Sequence, residues 1–201
     1  MHTVILASRS PRRQQLLRQI GIPFEVKEND VHEELDPHRS PEDNVLDLSL
    51  HKARSVARTI DKGIVVGVDT IVVLDGAMLG KPQNSAEAKK MLRLLSGREH
   101  RVYTGFTLYE VPGGRSFRDY EVTSVKFRTL EESEIEEYVR SGSPLDKAGA
   151  YGIQDDRGAV FVERINGCFY NVVGLPLTKF YVSLKHFLES YNGQEDTSTD
   201  R

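Results

Sequence analysis

The run Ile64-Val65-Val66-Gly67-Val68-Asp69-Thr70-Ile71-Val72-Val73-Leu74 constrains the fold of this chain more than any other segment. Its side chains are mostly β-branched, and such side chains fit a pleated surface better than a helix. They are apolar at odd and even positions alike. A strand with one wet face would alternate, so this one is expected in the middle of a sheet, covered on both sides. Asp69 breaks the pattern. Burying an unpaired carboxylate there would cost several kcal/mol, on the order expected for buried charges. A metal, a lysine or a hydrogen-bond network must answer it. Buried carboxylates of this kind concentrate at active sites, although a purely structural pairing with a nearby Arg or Lys would also explain one.

A second segment points to an anion. Val4-Ile5-Leu6-Ala7 is a short apolar run, followed by Ser8-Arg9-Ser10-Pro11-Arg12-Arg13 and then helical apolar spacing. This reads as strand, tight loop and helix start, with Ser10 at the N-cap and Pro11 at the first helical position. First-turn amides, the positive end of the helix dipole, Ser8 and two guanidiniums would converge there, and phosphate is the anion that suits them. The alternative is a solvated basic helix start, which the dipole does not favour.

Elsewhere the pattern is mixed α/β with no fixed repeat. Helices are expected over Pro11 to Ile20, from Ser40-Pro41 to Ile60, from a Ser85 cap to Leu95, over Glu131 to Arg140, and over Leu177 to Tyr191. Phe24 to Lys27 reads as a short strand, and Asp75-Gly76 as a turn. Two long strands flank Pro112-Gly113-Gly114 as a hairpin. Ala159 to Arg164 and Cys168 to Val173 are expected to pair as strands around Asn166-Gly167. The expectation is a long, twisted, mixed sheet flanked by helices, with two lobes and a central cleft. Residues 1–191 form one domain in this reading, and 192–201 form a polar, disordered tail.

Composition removes several classes. The 27 basic and 30 acidic side chains leave a net charge of −3, which argues against a nucleic-acid coat protein, and there is no Trp for a base-stacking face. A lone cysteine, Cys168, excludes an intramolecular disulfide and a multi-thiolate zinc site, and is expected to be inert and buried in a strand. The six histidines show no zinc spacing. The start has no basic leader with a long apolar stretch, so a cytoplasmic protein that neither enters nor spans a membrane is expected. No P-loop, dinucleotide fingerprint or nucleophile elbow occurs.

Other candidates are weaker. Lys81 lies between Gly80 and Pro82, where a constrained loop can aim its ammonium. Lys52 sits on a helix, where most lysines face water. Glu33 lies in an acidic run with Asp30, Glu34 and Asp36; such runs are usually solvated, but carboxylates beside a phosphate site suit Mg²⁺ or Mn²⁺. The stretch from Asp146 to Gln154 is punctuated by glycines that would let backbone approach a ligand, and Tyr151 or Gln154 could contact a base.

Taken together, Leu6-Ala7-Ser8-x-Ser10-Pro11-Arg12-Arg13, Glu33, Lys52-Ala53, Asp69-Thr70, Gly80-Lys81-Pro82, Ser96-Gly97, the Asp146–Gln154 stretch and Val173-Gly174-Leu175-Pro176 resemble the Maf family of nucleoside triphosphate pyrophosphatases. The resemblance runs from Ile5 to about Leu184. Arg12, Thr70 and Gln154 stand where the dTTP/UTP subgroup differs from the 7-methyl-GTP subgroup. The resemblance implies hydrolysis of dTTP, UTP or modified uridine triphosphates to the monophosphate and pyrophosphate, with a divalent metal, Mg²⁺ or Mn²⁺. It implies Asp69 and Glu33 as catalytic and metal-binding residues, and Ser8, Arg12, Arg13, Lys52 and Lys81 as phosphate-binding ones. Arg12, Thr70 and Gln154 would read the base. A homodimer is left open. The competing class is a nucleotide-binding regulator of septum formation and cell division without essential catalysis.

Overall fold

The computed structural model describes residues 3–154 and 157–195. Its centre is a seven-stranded mixed sheet in the order β2-β1-β3-β5-β6-β7, with β4 also on β3. The strands are β1 (Val4–Leu6), β2 (Phe24–Val26), β3 (Gly63–Leu74), β4 (Ala77–Leu79), β5 (Glu99–Val111), β6 (Ser116–Phe127) and β7 (Val162–Asn166). The helices are α1 (Pro11–Gln19), α2 (Pro41–Ala57), α3 (Ser85–Leu95), α4 (Glu132–Arg140), α5 (Phe169–Val173) and α6 (Leu177–Glu195). The parallel pairs are β1 with β2 and β1 with β3; the other pairs among the described strands are antiparallel. The open α/β sheet with flanking helices is the architecture expected from the sequence.

As its composition requires, β3 is central, and every residue but Thr70 is buried. One edge pairs along its length with β5. The other edge is shared: β1 takes Ile64 to Val66, and β4 takes Val72 to Leu74. Among the described residues no strand covers that edge between Val66 and Val72. This gap in the sheet is where the cleft opens.

The apolar layers stop at the same level. On one face, Ile64, Val66 and Val68 join a core with α1 and α6 that includes Leu17 and Phe180. Val72 and Leu74 join a separate core with α3 and α4 that includes Leu92 and Tyr138. Thr70 lies between the two. On the other face Val65 and Ile71 belong to different clusters beneath α2, and Asp69 lies between them. The polar pair therefore separates two lobes on both sides of one strand.

Helix α2 lies unusually close to the sheet because two glycines admit it. A Cβ on Gly67 would stand 1.9 Å from the Ser49 carbonyl oxygen, and one on Gly105 would stand 2.7 Å from the Val45 carbonyl. The buried Ser49 and Thr107 hydroxyls are 2.7 Å apart and tie the helix to β5. The helix is capped by Ser40, whose side chain accepts from the Asp43 amide.

Several local expectations are corrected. The segment from Cys168 to Val173 is not a strand: Cys168 is half-exposed and caps the short helix α5. Tertiary bonds override its β-prone composition, because the Asn171 side chain donates to Val102 O and Thr123 Oγ1, each at 3.0 Å. The strand after the Gly158–Phe161 turn instead pairs with β6. Helix α3 is capped by Asn84, not Ser85, since the Asn84 side chain accepts from the Glu87 amide. Helix α6 continues to Glu195, beyond the expected end at Tyr191. The rest of the expected tail, 196–201, lies outside the described residues.

Candidate active site

The gap in the sheet opens into a cleft of about 840 Å³, whose lining includes Ser8, Arg12, Arg13, Glu33, Lys52, Asp69, Thr70, Lys81 and Gln154. Every site residue expected from the sequence therefore borders one cavity. Their roles in it differ.

Asp69 and Lys52 form its buried floor. Lys52 projects from the sheet-facing side of α2 and is 3 % exposed, while Asp69 is 4 % exposed. Lys52 Nζ donates to Asp69 Oδ1 at 2.5 Å and to Glu33 Oε1 at 2.6 Å. Lys81 Nζ donates to the other Glu33 oxygen at 2.5 Å. The result is a chain of alternating charge, Asp69–Lys52–Glu33–Lys81, running from the sheet to the rim.

The two carboxylates respond to this chain in opposite directions. Burial raises the proton affinity of Asp69, and neither Lys52 nor Arg13 cancels that effect. Partial burial also pushes Glu33 upward, but attraction to Lys52 and hydrogen bonds from Lys52 and Lys81 outweigh it and hold Glu33 at about 2. Glu33 thus stays an anion at any ordinary pH, whereas Asp69 is the better proton acceptor.

Arg12 and Arg13 are adjacent but differently employed. Arg12 sits at the rim and donates to the Asp146 side chain at 2.8 Å and to its carbonyl at 3.2 Å, bridging α1 and the turn after α4 across the cleft mouth. Lys147 also holds Asp146, at 2.8 Å, and these cations overcome partial burial to lower its carboxyl's pKa. Arg13 is half-buried, and desolvation lowers its pKa despite Asp69 and Glu33 nearby. It reaches Ser8, Val68, Thr70 and Gly174. The Ser10 side chain makes no cap bond to the first-turn amides of α1, and Ser10 to Arg13 line the cleft, where an anion site would be built.

The Asp146–Gln154 stretch behaves differently from the expectation that its glycines admit a ligand. A Cβ on Gly149 would stand 2.7 Å from Val72 Cγ2, so that residue's smallness serves packing on β3. Tyr151 and Gly152 border the cleft, and the Tyr151 hydroxyl lies 2.8 Å from His100 Nε2. Gln154 remains exposed at the cleft.

Asn29 and Asp146 escaped residue-level reading. The Asn29 amide donates to Ala7 O at 2.8 Å, holding the loop before α1. Neither carries a sequence signal beyond being polar in a loop. The burial of Lys52 did carry one, since it falls four residues from both Leu48 and Val56 on the apolar face of α2.

Comparisons with known proteins agree with this geometry. A family model described as Maf-like protein matches residues 3–187. A protein of Bacillus cereus (strain AH820) named dTTP/UTP pyrophosphatase is 48% identical over 187 residues, covering 93% of this chain and 96% of its own. A protein of Bacillus anthracis with the same name shows the same identity and coverage. A third relative so named, from Bacillus cytotoxicus, is 49% identical over 187 residues, again 93% of this chain and 96% of its own.

Proposed function

The chain belongs to the Maf-like protein family, and from that membership and the cleft we propose that it hydrolyses dTTP and UTP to the nucleoside monophosphate and pyrophosphate. The observation that carries the reading is a buried carboxylate, Asp69, set on a buried lysine at the floor of a cleft whose rim is cationic. Modified uridine triphosphates fit the same chemistry, which makes this a house-cleaning activity in the nucleotide pool. No described helix is long and apolar enough to cross a membrane, in keeping with a cytoplasmic setting. The match over most of the chain supports a single domain.

In this reading a water attacks the α-phosphorus and gives its proton to Asp69, while the bond to the β-phosphate oxygen breaks and pyrophosphate leaves. Lys52 keeps Asp69 ionised and correctly turned, and burial raises its basicity. Arg12, Lys81, Ser8 and the first-turn amides of α1 bind the phosphates and offset charge on the leaving group; Arg13 adds positive potential from beneath. Gln154 reads the base from the cleft wall, with Arg12 beside it, while the Thr70 hydroxyl is engaged by Arg13 and Thr104.

The donor set fits a hard divalent cation. Among the described residues no three His, Cys, Asp or Glu side chains cluster as a complete protein cage. Glu33 and Asp69 supply the one or two carboxylates that Mg²⁺ or Mn²⁺ takes together with substrate phosphates. Bound there, the ion would neutralise phosphate charge and polarise the scissile bond.

The test is pyrophosphate release from a panel of nucleoside triphosphates with Mg²⁺ or Mn²⁺. Asp69→Asn should lose turnover by about 100-fold or more, the usual contribution of a general base, with circular dichroism unchanged. Near-parental activity in that variant would sink the assignment. Saturable dTTP binding with no turnover of any nucleotide would move the chain to the regulator class.

A further inference from the structure

We propose that Arg13 is a positioning residue: its guanidinium clamps β3 on both sides of Asp69, and the triphosphate does not bind it directly. The inference rests on the proposed pyrophosphatase reading and revises one role within it.

Donor use is the first argument. An arginine has five N–H groups. Arg13 Nε donates to Gly174 O at 2.9 Å, Nη1 to Val68 O at 3.1 Å and to Ser8 Oγ at 3.3 Å, and Nη2 to Thr70 Oγ1 at 3.0 Å. One N–H is left, so a bidentate grip on phosphate would require unmaking bonds inside the protein. Arg12, by contrast, has a side chain 19 % exposed and, among the described residues, one hydrogen-bond partner, Asp146, on the cleft rim.

The direction of the bonds is the second. Thr104 Oγ1 donates its only proton to Asn171 O at 3.0 Å. In the 3.0 Å contact between Thr70 and Thr104, Thr70 is therefore the donor. That leaves the Thr70 oxygen to accept from Arg13, and the guanidinium becomes the head of an ordered chain reaching α5. Its acceptors lie on three segments: the loop after β1, the strand β3 and the turn between α5 and α6.

Placement is the third. Val68 O and Thr70 Oγ1 belong to the residues immediately before and after Asp69, and Thr70 points to the opposite face. Holding both fixes the strand on either side of Asp69, and hence the direction in which its carboxylate leaves the strand. Lys52 then meets that carboxylate from the α2 side. An ammonium is a point charge with three donors, and it cannot span acceptors this far apart in one plane.

Arg13→Lys separates the two roles because it keeps the charge and removes the fork. The measurements are kcat and KM for dTTP, and calorimetric Kd values for pyrophosphate and dTTP. The clamp predicts that kcat falls by about 100-fold, the effect of a reacting group misplaced by about an ångström, while KM and both Kd values stay within about threefold. A kcat within about threefold of the parent, or Kd values weakened more than about tenfold, would overturn it. The binding arm reads Arg13 even if the parent turns over no nucleotide, an outcome that would fail the proposed activity alone. Should Arg13→Lys not fold, the near-isosteric Thr70→Val removes one clamp acceptor. The clamp then predicts a lower kcat at unchanged KM and unchanged preference among nucleotides. An unchanged kcat with altered preference would make Thr70 a direct base reader and refute the clamp.

Discussion

Replacing Gly67 by alanine would test whether helix–sheet distance sets the active-site geometry. The new Cβ would lie 1.9 Å from Ser49 O and 2.8 Å from the Ala53 amide nitrogen, both backbone atoms of α2. No rotamer can relieve a clash with backbone. A tolerable carbon–oxygen contact is about 3.3 Å, so the helix must withdraw by roughly 1.4 Å. Overpacking of this kind costs about 3 kcal/mol, the upper part of its usual range. For a chain of 201 residues that corresponds to a fall in Tm of about 6–12 °C. Lys52 lies one turn beyond Ser49 and would be carried away from Asp69, so kcat should fall by about 100-fold. Differential scanning calorimetry and pyrophosphate release would be read together. Gly80→Ala, whose Cβ would meet only Leu35 Cδ1 at 3.6 Å, gives the stability baseline. A Gly67→Ala protein melting within about 2 °C of the parent and fully active would refute the reasoning.

Two further outcomes follow from buried charge. Lys52→Met strands Asp69 without its cation and should cost about 3–5 kcal/mol; since Asp69 has a raised proton affinity in the fold, stability must fall as pH rises, so urea melts should show a larger loss at pH 8 than at pH 5, and adding Asp69→Asn should recover most of it. Equal losses at both pH values would contradict the pairing. His100 is 2 % exposed and burial lowers its pKa from 6.5 to about 4, while its Nδ1 has no partner among the described residues. The unfolded chain binds that proton first, so stability is intact above pH 6.5 and declines toward pH 4 by about 3 kcal/mol. His100→Gln should flatten this part of the urea-stability profile, and an unaltered acid slope would remove His100 from the account.

Much of the fold was legible because it rests on local signals that tertiary structure did not contradict. β3 is apolar at both parities and is central; Gly21 and Gly97 end helices at φ 68°; Ser40 caps α2. The failures have a common cause. Phe169 to Val173 has strand composition, and Asn166-Gly167 has hairpin composition, yet Asn171 finds buried acceptors on β5 and β6 only if the segment coils. A side chain that bonds residues far away in sequence is invisible to a pattern read along the chain. The packing of Gly149 on Val72 and the contact of Tyr151 with His100 are invisible for the same reason.

The site was legible in membership but not in division of labour, and charge explains why. Reading residue types gives Arg12 and Arg13 a shared phosphate-binding role, with base reading added only for Arg12, because two adjacent guanidiniums look alike on paper. In the structure they are separated by their partners: Arg12 meets a carboxylate at the rim, whereas Arg13 meets backbone carbonyls and hydroxyls. Neutral acceptors leave the Arg13 charge uncompensated by direct contact, and Asp69 and Glu33 supply the nearby negative potential. The same logic distinguishes the carboxylates. Glu33 faces two lysines and stays ionised; Asp69 shares one lysine in full burial and gains basicity. The burial of Lys52 and Asp69 is set by where α2 rests on the sheet, and α2 rests where Gly67 and Gly105 allow. The chemistry of the charged residues therefore depends on two glycines that carry no chemistry of their own.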